Sequence, residues 1–387
     1  MNLHLVEKIA DAVLYEGYIL YPYRPSAVKN QQRWNFGALC PEAYSLAQGG
    51  TEAWTMQTEC LVNGSERTTL DVKVRFLHLL TREVGVPIAD CGLRIADCGD
   101  KEIQSSVSDS DFNVVASLEV NGRLFQTWQE AAEREVSLPS LNLNEMVAQT
   151  HRLTFKFASS REIEPLRDES GGQVVGLVVR RQESIEGAIE LRIADCGLRI
   201  EELNSSSESN NRKLFKLTAR ILNLTSFENA EQVGNQIRNP PSRDEALMRS
   251  LVSTHTILSV RDGELVSLLD PPEAFREAAA GCSNVGTYPV LAGDEGERDC
   301  MLSSPIILYD YPRIAPESAG ELFDGTEIDE ILTLRIMTLT DAEKHEMRGA
   351  DDRARQILER TEMLPAEQLM KMHGAMRSVP PRREEDR

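Results

Sequence analysis

The sequence predicts an α+β protein with an antiparallel β-sandwich-like central region and an α/β C-terminal part that ends in helices. Apolar and polar residues alternate along LDVKVRF at residues 70–76, as in a half-buried strand that places Leu70 and Phe76 on one face. Asn121-Gly122 lies between two strand-like runs and favours the tight turn of a hairpin. Apolar residues at helical spacing over residues 328–339 predict the C-terminal helices.

The same patterns divide the 387-residue chain into five parts. These are an N-terminal docking segment (1–58), a mainly β domain (59–227), a linker (228–243), an α/β to helical domain (244–376) and a disordered tail (377–387). Prolines and polar runs set the boundaries, because they interrupt the periodicity of helices and strands.

Three local signals predict individual elements. An amphipathic pattern over residues 5–13 predicts a first helix. Asp262-Gly263 is expected to turn between two strands. Thr340 with Glu343 has the spacing of a capping box, in which each residue satisfies a backbone N–H of the other, and predicts the start of a helix.

Composition limits the possible partners and compartments. The formal charge of −20 excludes nucleic acid as an expected partner, since phosphates require a basic surface. The N-terminal stretch lacks the apolar core of a signal peptide, and no run of about 18 apolar residues occurs, so no membrane insertion is expected. Seven cysteines, an odd number, fit reduced thiols in a cytoplasmic protein better than a disulfide framework.

The pentapeptide Ile-Ala-Asp-Cys-Gly occurs three times, at residues 88–92, 95–99 and 193–197. The spacing of seven between the first two copies is too wide for paired zinc ligands. The base sequence GGATTGC, repeated three times, encodes Gly-Leu-Arg-Ile-Ala-Asp-Cys, so a seven-base unit explains the period. We interpret the copies as simple-sequence insertions near 88–100 and 191–213, placed in loops or strand ends where added length costs little entropy.

Four cysteines lie outside these copies, at positions 40, 60, 282 and 300. They could converge on one tetrahedral zinc site, but none is paired in a CxxC motif. Buried apolar thiols are the alternative that the spacing favours. We therefore expect no metal and no cofactor.

The enzymatic alternative depends on three residues. His255, close to Ser253 in STHTIL, is a candidate general base. Asp324 and Glu327 in DGTEIDE are carboxylates that could hold Mg²⁺ or Ca²⁺, although acids in a first helical turn also stabilise a helix without any metal. Together these residues would make a metal-dependent hydrolase. The chain has no HExxH or GxSxG motif and no glycine-rich phosphate loop.

Tyrosine is concentrated in two similar motifs, LYPYRP at residues 20–25 and LYDYPRIAP at residues 308–316. Each contains Tyr-x-Tyr, proline and arginine, and aromatic residues and arginine are enriched at binding hot spots. We predict a partner-binding surface that consists of Tyr21, Tyr23, Arg24, Arg33, Trp34, Tyr309, Tyr311 and Arg313. The alternative is that these aromatic residues pack the two ends of the chain together.

A specific geometry follows from this prediction. The run Ile306-Ile307-Leu308 is expected to be a buried strand that ends at the tyrosines. Tyr21 and Tyr309 are expected to lie in one contact cluster.

Residues 10–44, 250–272, 300–344 and 359–374 resemble a family of bacterial proteins without assigned activity. This family is encoded in gene clusters of NiFe hydrogenases, particularly the oxygen-tolerant uptake type. The resemblance covers the N-terminal 60 residues and most of residues 243–376, whereas the middle of the chain matches weakly. It implies an accessory role in hydrogenase assembly or maturation, with a hydrogenase subunit or maturation factor as the partner, and it supplies no catalytic residues.

Overall fold

A computed structural model describes residues 3–15, 35–88, 103–104, 106–147, 149–169, 173–200, 212–227, 231–233, 236–238, 242–313, 333–350, 352–365, 367 and 370. The strands within them are β1 (Thr55–Pro87), β2 (Phe112–Val115), β3 (Ser117–Val120), β4 (Arg123–Gln126), β5 (Trp128–Asn142), β6 (Thr150–Phe157), β7 (Ser160–Arg167), β8 (Val174–Gln182), β9 (Ile185–Ile200), β10 (Arg212–Asn223), β11 (Glu231–Val233), β12 (Gln236–Arg238), β13 (Val252–Val266), β14 (Tyr288–Leu291) and β15 (Cys300–Ser304).

Helices flank these strands. They are α1 (Leu3–Tyr15), α2 (Glu42–Ala47), α3 (Leu143–Met146), α4 (Arg243–Leu247), α5 (Arg276–Ala280), α6 (Asp341–Ala350) and α7 (Asp352–Glu362). Within the described part of the chain, none of the helices combines the length and the apolar character needed to cross a bilayer.

The 33-residue strand β1 organises an eleven-stranded antiparallel sheet. Along one side it pairs first with β10, then with β5 and finally with β2. Along the other side it pairs with β13 and then with β8. The main path through the sheet runs β14-β15-β13-β1-β10-β9-β6. A single long strand therefore joins two groups of shorter strands.

The main hydrophobic core confirms the alternation predicted for residues 70–76. Leu70, Val72, Val74 and Phe76 are all buried in it. Side chains from β5 and from β6 pack against the same core, and Phe76 stacks on Phe155 of β6 with ring centroids 5.8 Å apart. The two groups of strands thus enclose one apolar interior, which gives the predicted α+β fold with a sandwich-like antiparallel sheet.

Two local predictions are confirmed by hydrogen bonds and backbone angles. Asn121 and Gly122 have φ of 54° and 74° and connect β3 to β4 in a two-residue hairpin. At the start of α6, the Thr340 N–H donates to the Glu343 carboxylate at 2.8 Å, and the Glu343 N–H donates to the Thr340 hydroxyl at 3.3 Å. This is the expected capping box.

The turn predicted at Asp262-Gly263 is wrong, because β13 continues through both residues. Asp262 has φ of 55°, and the pairing of β13 with β1 is irregular at this point. The Thr68 hydroxyl donates to the Asp262 carbonyl oxygen at 2.6 Å and fixes the irregularity. Residues 65–68 of β1 lie opposite the single residue Asp262, so the extra residues of this β-bulge belong to β1 and β13 runs straight through Asp-Gly.

The domain boundary expected at 228–243 does not separate the strands. β13, β14 and β15 follow this segment, yet β13 pairs directly with β1. The compact units are instead residues 1–20 with 25–312, and residues 21–24 with 313–387. Within the second unit, Glu362 on α7 accepts from Lys344 at 3.3 Å and from Arg348 at 2.7 Å on α6.

The third copy of the repeated pentapeptide lies near the end of β9. Asp195 pairs with Phe215 of β10 and Arg199 pairs with Lys213, so residues 196–198 lie opposite the single residue 214. Gly197 has φ of 72°, and its N–H donates to the Asp195 carboxylate at 2.8 Å. The extra length is accommodated as a bulge. Residues 89–100, which contain most of the other two copies, lie outside the described residues.

Candidate protein-binding surface

The segment of residues 305–313 follows β15 and differs from its predicted form. Residues 306–308 are not a strand, and Ile307 is 72% exposed rather than buried. Pro305 and Pro312 flank the segment and cannot donate the hydrogen bonds of a sheet. The Ser304 hydroxyl donates to the Ile306 carbonyl oxygen at 2.7 Å, which turns the chain away from the sheet.

The far end of this segment is attached to β14. The Leu291 N–H donates to the Asp310 carboxylate at 2.8 Å, and the Leu291 carbonyl oxygen accepts from the Tyr311 N–H at 2.7 Å. The backbone N–H and carbonyl oxygen of Leu291 therefore both bond to the segment and not to β15. A second oxygen of Asp310 accepts from the Ser267 hydroxyl. The segment thus covers the outer edge of β14, an edge that would otherwise offer free backbone groups.

Tyr311 anchors the segment to the interior. Its side chain is partly buried and packs against the main hydrophobic core, and burial raises its pKa above the usual value. Its φ of 58° is unusual for a residue with a large side chain, so the backbone is held there by these contacts. Tyr311 therefore positions the segment and is not part of an exposed surface.

Between these anchors, two large side chains point to solvent. Ile307 is 72% exposed and Tyr309 is 84% exposed, whereas their neighbours Ile306, Leu308 and Asp310 are partly buried. Apolar side chains of this size that are presented by a fixed backbone lose little conformational freedom on binding. We call Ile307 and Tyr309 the 307/309 surface.

The structure describes three of the eight residues of the predicted partner surface: Tyr309 and Arg313 are exposed, and Tyr311 is partly buried. Arg313 is exposed just beyond the 307/309 surface in sequence. Five of the predicted residues lie outside the described residues, and so does the expected contact of Tyr21 with Tyr309: Tyr21, Tyr23, Arg24, Arg33 and Trp34. Ile307 was not among the predicted binding residues. The two flanking prolines were the signal that could have identified it as exposed.

His255, the candidate general base, is fully buried on β13. Its Nδ1 is 3.0 Å from the carbonyl oxygen of Ser253, while its Nε2 is buried without a hydrogen-bond partner among the described residues. Burial lowers its pKa to about 4. It pairs across the sheet with Arg75, and α1 packs on this region. Asp324 and Glu327 lie outside the described residues.

A layer of ion pairs attaches α1 to the sheet above His255. Arg75 on β1 contacts Asp11 of α1 at 2.6 Å and Glu133 of β5 at 3.3 Å. Lys73 contacts Glu7 of α1 at 2.8 Å, and this ion pair lowers the pKa of Glu7. The polar face predicted for β1 thus fixes the first helix.

The four cysteines outside the repeats are free thiols, and of these Cys60 and Cys282 lie near each other. Cys60 lies in the main core, Cys40 packs with Tyr44 and Phe227, and Cys282 packs on a third apolar cluster. Burial raises the pKa of Cys282 to about 11 and that of Cys300 to about 12. Among the described residues, no three His, Cys, Asp or Glu side chains are grouped as metal ligands would be.

Comparisons with known proteins do not add a family. The sequence matches no protein-family model and no curated protein.

Proposed function

We propose that this chain is a non-catalytic accessory protein that binds another protein through the 307/309 surface. The proposal rests on one observation: a segment whose backbone is firmly anchored presents a highly exposed tyrosine. Asp310 and Tyr311 fix the backbone to Leu291, and Tyr309 is 84% exposed. Tyrosine held in this way is typical of interface anchors, which combine large contact area with few rotatable bonds.

The partner comes from the sequence resemblance alone, and the compartment comes from the odd number of cysteines. A hydrogenase subunit or a maturation factor is the partner that the resemblance implies, and binding would take place in the cytoplasm. The accessory role would then be assembly or maturation of a NiFe hydrogenase, without chemistry by this chain.

The alternative function, a metal-dependent hydrolase that uses Asp324, Glu327 and His255, has weaker support. A general base must reach its substrate within hydrogen-bond distance. His255 is fully buried beneath α1, so a substrate could reach it only if α1 moved.

The test is a pull-down with the tagged full-length chain from a host that makes the hydrogenase. We expect wild-type chain to retain a hydrogenase subunit or maturation factor, identified by mass spectrometry. The double variant Ile307→Ser/Tyr309→Ser should lose most of it, and Arg313→Glu should weaken it. The matched control is Val114→Ser on β2, which removes a side chain that is also exposed. Equal recovery by the double variant and the control would refute the proposed surface.

A further inference from the structure

Five strands of the large sheet have a described partner strand on one side only: β2, β5, β6, β7 and β14. Such edges can pair with foreign strands, and proteins usually obstruct them. β2 has four residues, and β7 contains Pro165. β5 contains Pro139 followed by Ser140 with φ of 55°, and β14 contains Pro289 and is covered by residues 305–313. Each of these four edges is therefore shortened, interrupted or covered.

β6 has none of these obstructions. Its eight residues, THRLTFKF, contain no proline or glycine, and they pair with β9 without a register shift. Its outward side chains alternate with inward ones, and Arg152 and Lys156 are 48% and 63% exposed at the side-chain level. Regular, extended edges of this kind are those that accept an added strand.

The charges on the exposed face of the sheet alternate from strand to strand. Glu190 on β9 accepts from Arg220 of β10 at 3.4 Å and from Arg152 of β6 at 3.1 Å. Glu186, on the same strand as Glu190, accepts from Lys156 of β6. At these positions the column order is basic, acidic, basic, and the edge column is the basic one. Arg192, also exposed on β9, lies opposite Thr150 at the start of β6. A further strand would complement the edge column with acidic residues, because opposite charges across strands stabilise pairing.

The same charges disfavour a second copy of this chain. An antiparallel partner β6 would place its own Arg152 and Lys156 on the same face, next to the identical pair. Like charges directly across strands destabilise pairing. On the opposite face, Leu153, Phe155 and Phe157 are partly buried, and the two phenylalanines pack against the main core. An added strand would extend that apolar layer if its inward residues were apolar.

We propose that the edge of β6 binds an extended acidic segment of another protein as an added β-strand. The segment has acidic residues four positions apart, opposite Arg152 and Lys156, a β-branched residue between them opposite Thr154, and apolar residues at the alternate positions. This surface is separate from the 307/309 surface and does not depend on it.

The test uses the full-length chain and a blocked, fluorescein-labelled peptide, Thr-Val-Glu-Val-Thr-Val-Glu-Val-Thr. Fluorescence polarisation should show saturable binding, and hydrogen exchange should show new amide protection in β6. The same peptide with lysine in place of glutamate should bind about tenfold more weakly, since two attractive cross-strand pairs become repulsive.

Charge-swapped variants distinguish pairing at β6 from attraction to the whole molecule. Arg152→Glu/Lys156→Glu should prefer the lysine peptide over the glutamate peptide. The matched control, Arg243→Glu/Arg261→Glu, changes the net charge equally and also removes two ion pairs, neither of which involves β6 or β9. It should keep the wild-type preference. Absence of saturable binding, or the same peptide preference in both double variants, would overturn the proposal.

Discussion

Tyr309 and Tyr311 are two residues apart and have opposite surroundings. Tyr311 packs against the main core, whereas Tyr309 is exposed. We expect Tyr311→Ala to lower the free energy of unfolding by about 2 kcal/mol, because a partly buried ring leaves a void. Tyr309→Ala should change it by less than about 0.5 kcal/mol. Equilibrium unfolding in urea measures both, and equal losses would contradict the assigned positions.

His255 makes stability depend on pH. Its folded-state pKa is about 4, below the ordinary value of 6.5, because burial disfavours the charged ring. The unfolded chain therefore binds more protons between these values, and stability is lost as pH falls from about 6.5 to about 4. In His255→Gln the loss over this window should be smaller by roughly 3 kcal/mol, in proportion to the pKa shift.

The measurement is urea unfolding at several pH values between 4 and 7.5, compared between wild type and variant. His78 is buried with a pKa also lowered to about 4, so His255→Gln should remove only part of the slope. If the variant loses stability as steeply as wild type, His255 is not buried in its neutral form.

At the scale of elements, the attachment of α1 to the sheet depends on Arg75 more than on Lys73. The Arg75 side chain is 10% exposed and contacts both α1 and β5, whereas the Lys73 side chain is 29% exposed. Arg75 is the nearly buried member of these ion pairs, so its removal costs the packing of its side chain as well as the pairs. We expect Arg75→Ala to cost about 2 kcal/mol and Lys73→Ala less than about 1 kcal/mol.

Thermal unfolding of the two variants gives this comparison. Hydrogen exchange in α1 supplies a second readout, because faster exchange confined to α1 in Arg75→Ala would locate the effect. Unchanged exchange of α1 amides in that variant would mean that apolar contacts alone hold the helix.

The bulge between β1 and β13 depends on a close fit at Thr68. A Cβ atom added at Gly263 would lie 2.6 Å from Thr68 Cγ2, and one added at Gly64 would lie 2.7 Å from Thr68 Oγ1. We expect Gly263→Ala to destabilise the chain by about 1–3 kcal/mol through overpacking. Thr68→Ser removes Cγ2 and keeps the hydroxyl, so it should recover part of this loss in the Gly263→Ala background.

The two single variants and the double variant form a cycle that isolates the contact. Gly281→Ala, where the nearest atom is 3.3 Å away, is a control for the glycine substitution itself. Additive losses in the double variant would show that Thr68 is not the residue displaced by the new methyl group.

For the whole molecule, sequence patterns predict features that neighbouring residues determine. The alternation at Leu70 to Phe76, the hairpin at Asn121-Gly122 and the capping box at Thr340 each depend on fewer than about ten consecutive residues. Their physical causes are side-chain direction, backbone angles and local hydrogen bonds, all of which the local sequence contains.

Features that depend on distant partners could not be predicted in this way. Asp262-Gly263 stays in β13 because the bulged residues 65–68 of β1, far away in the chain, lie opposite it and Thr68 bonds to it. The segment at residues 305–313 leaves the sheet because Asp310 and Tyr311 form hydrogen bonds with Leu291. Whether an apolar run such as Ile306-Ile307-Leu308 is buried therefore cannot be predicted from the run itself. The same holds for the 307/309 surface, of which the sequence predicted Tyr309 and missed Ile307.

The position of β1 has a consequence for synthesis in the cell. Leu61 pairs with Val266, about 200 residues later in the chain. During synthesis β1 therefore lacks its partner β13 until the intervening residues are made. At ribosomal speeds this delay is on the order of 10 to 40 s. During that time an apolar strand edge remains available for wrong pairing. Nascent chains arrested before residue 252 should therefore be protease-sensitive and bound by chaperones, whereas chains that have released β13 and β15 should become resistant.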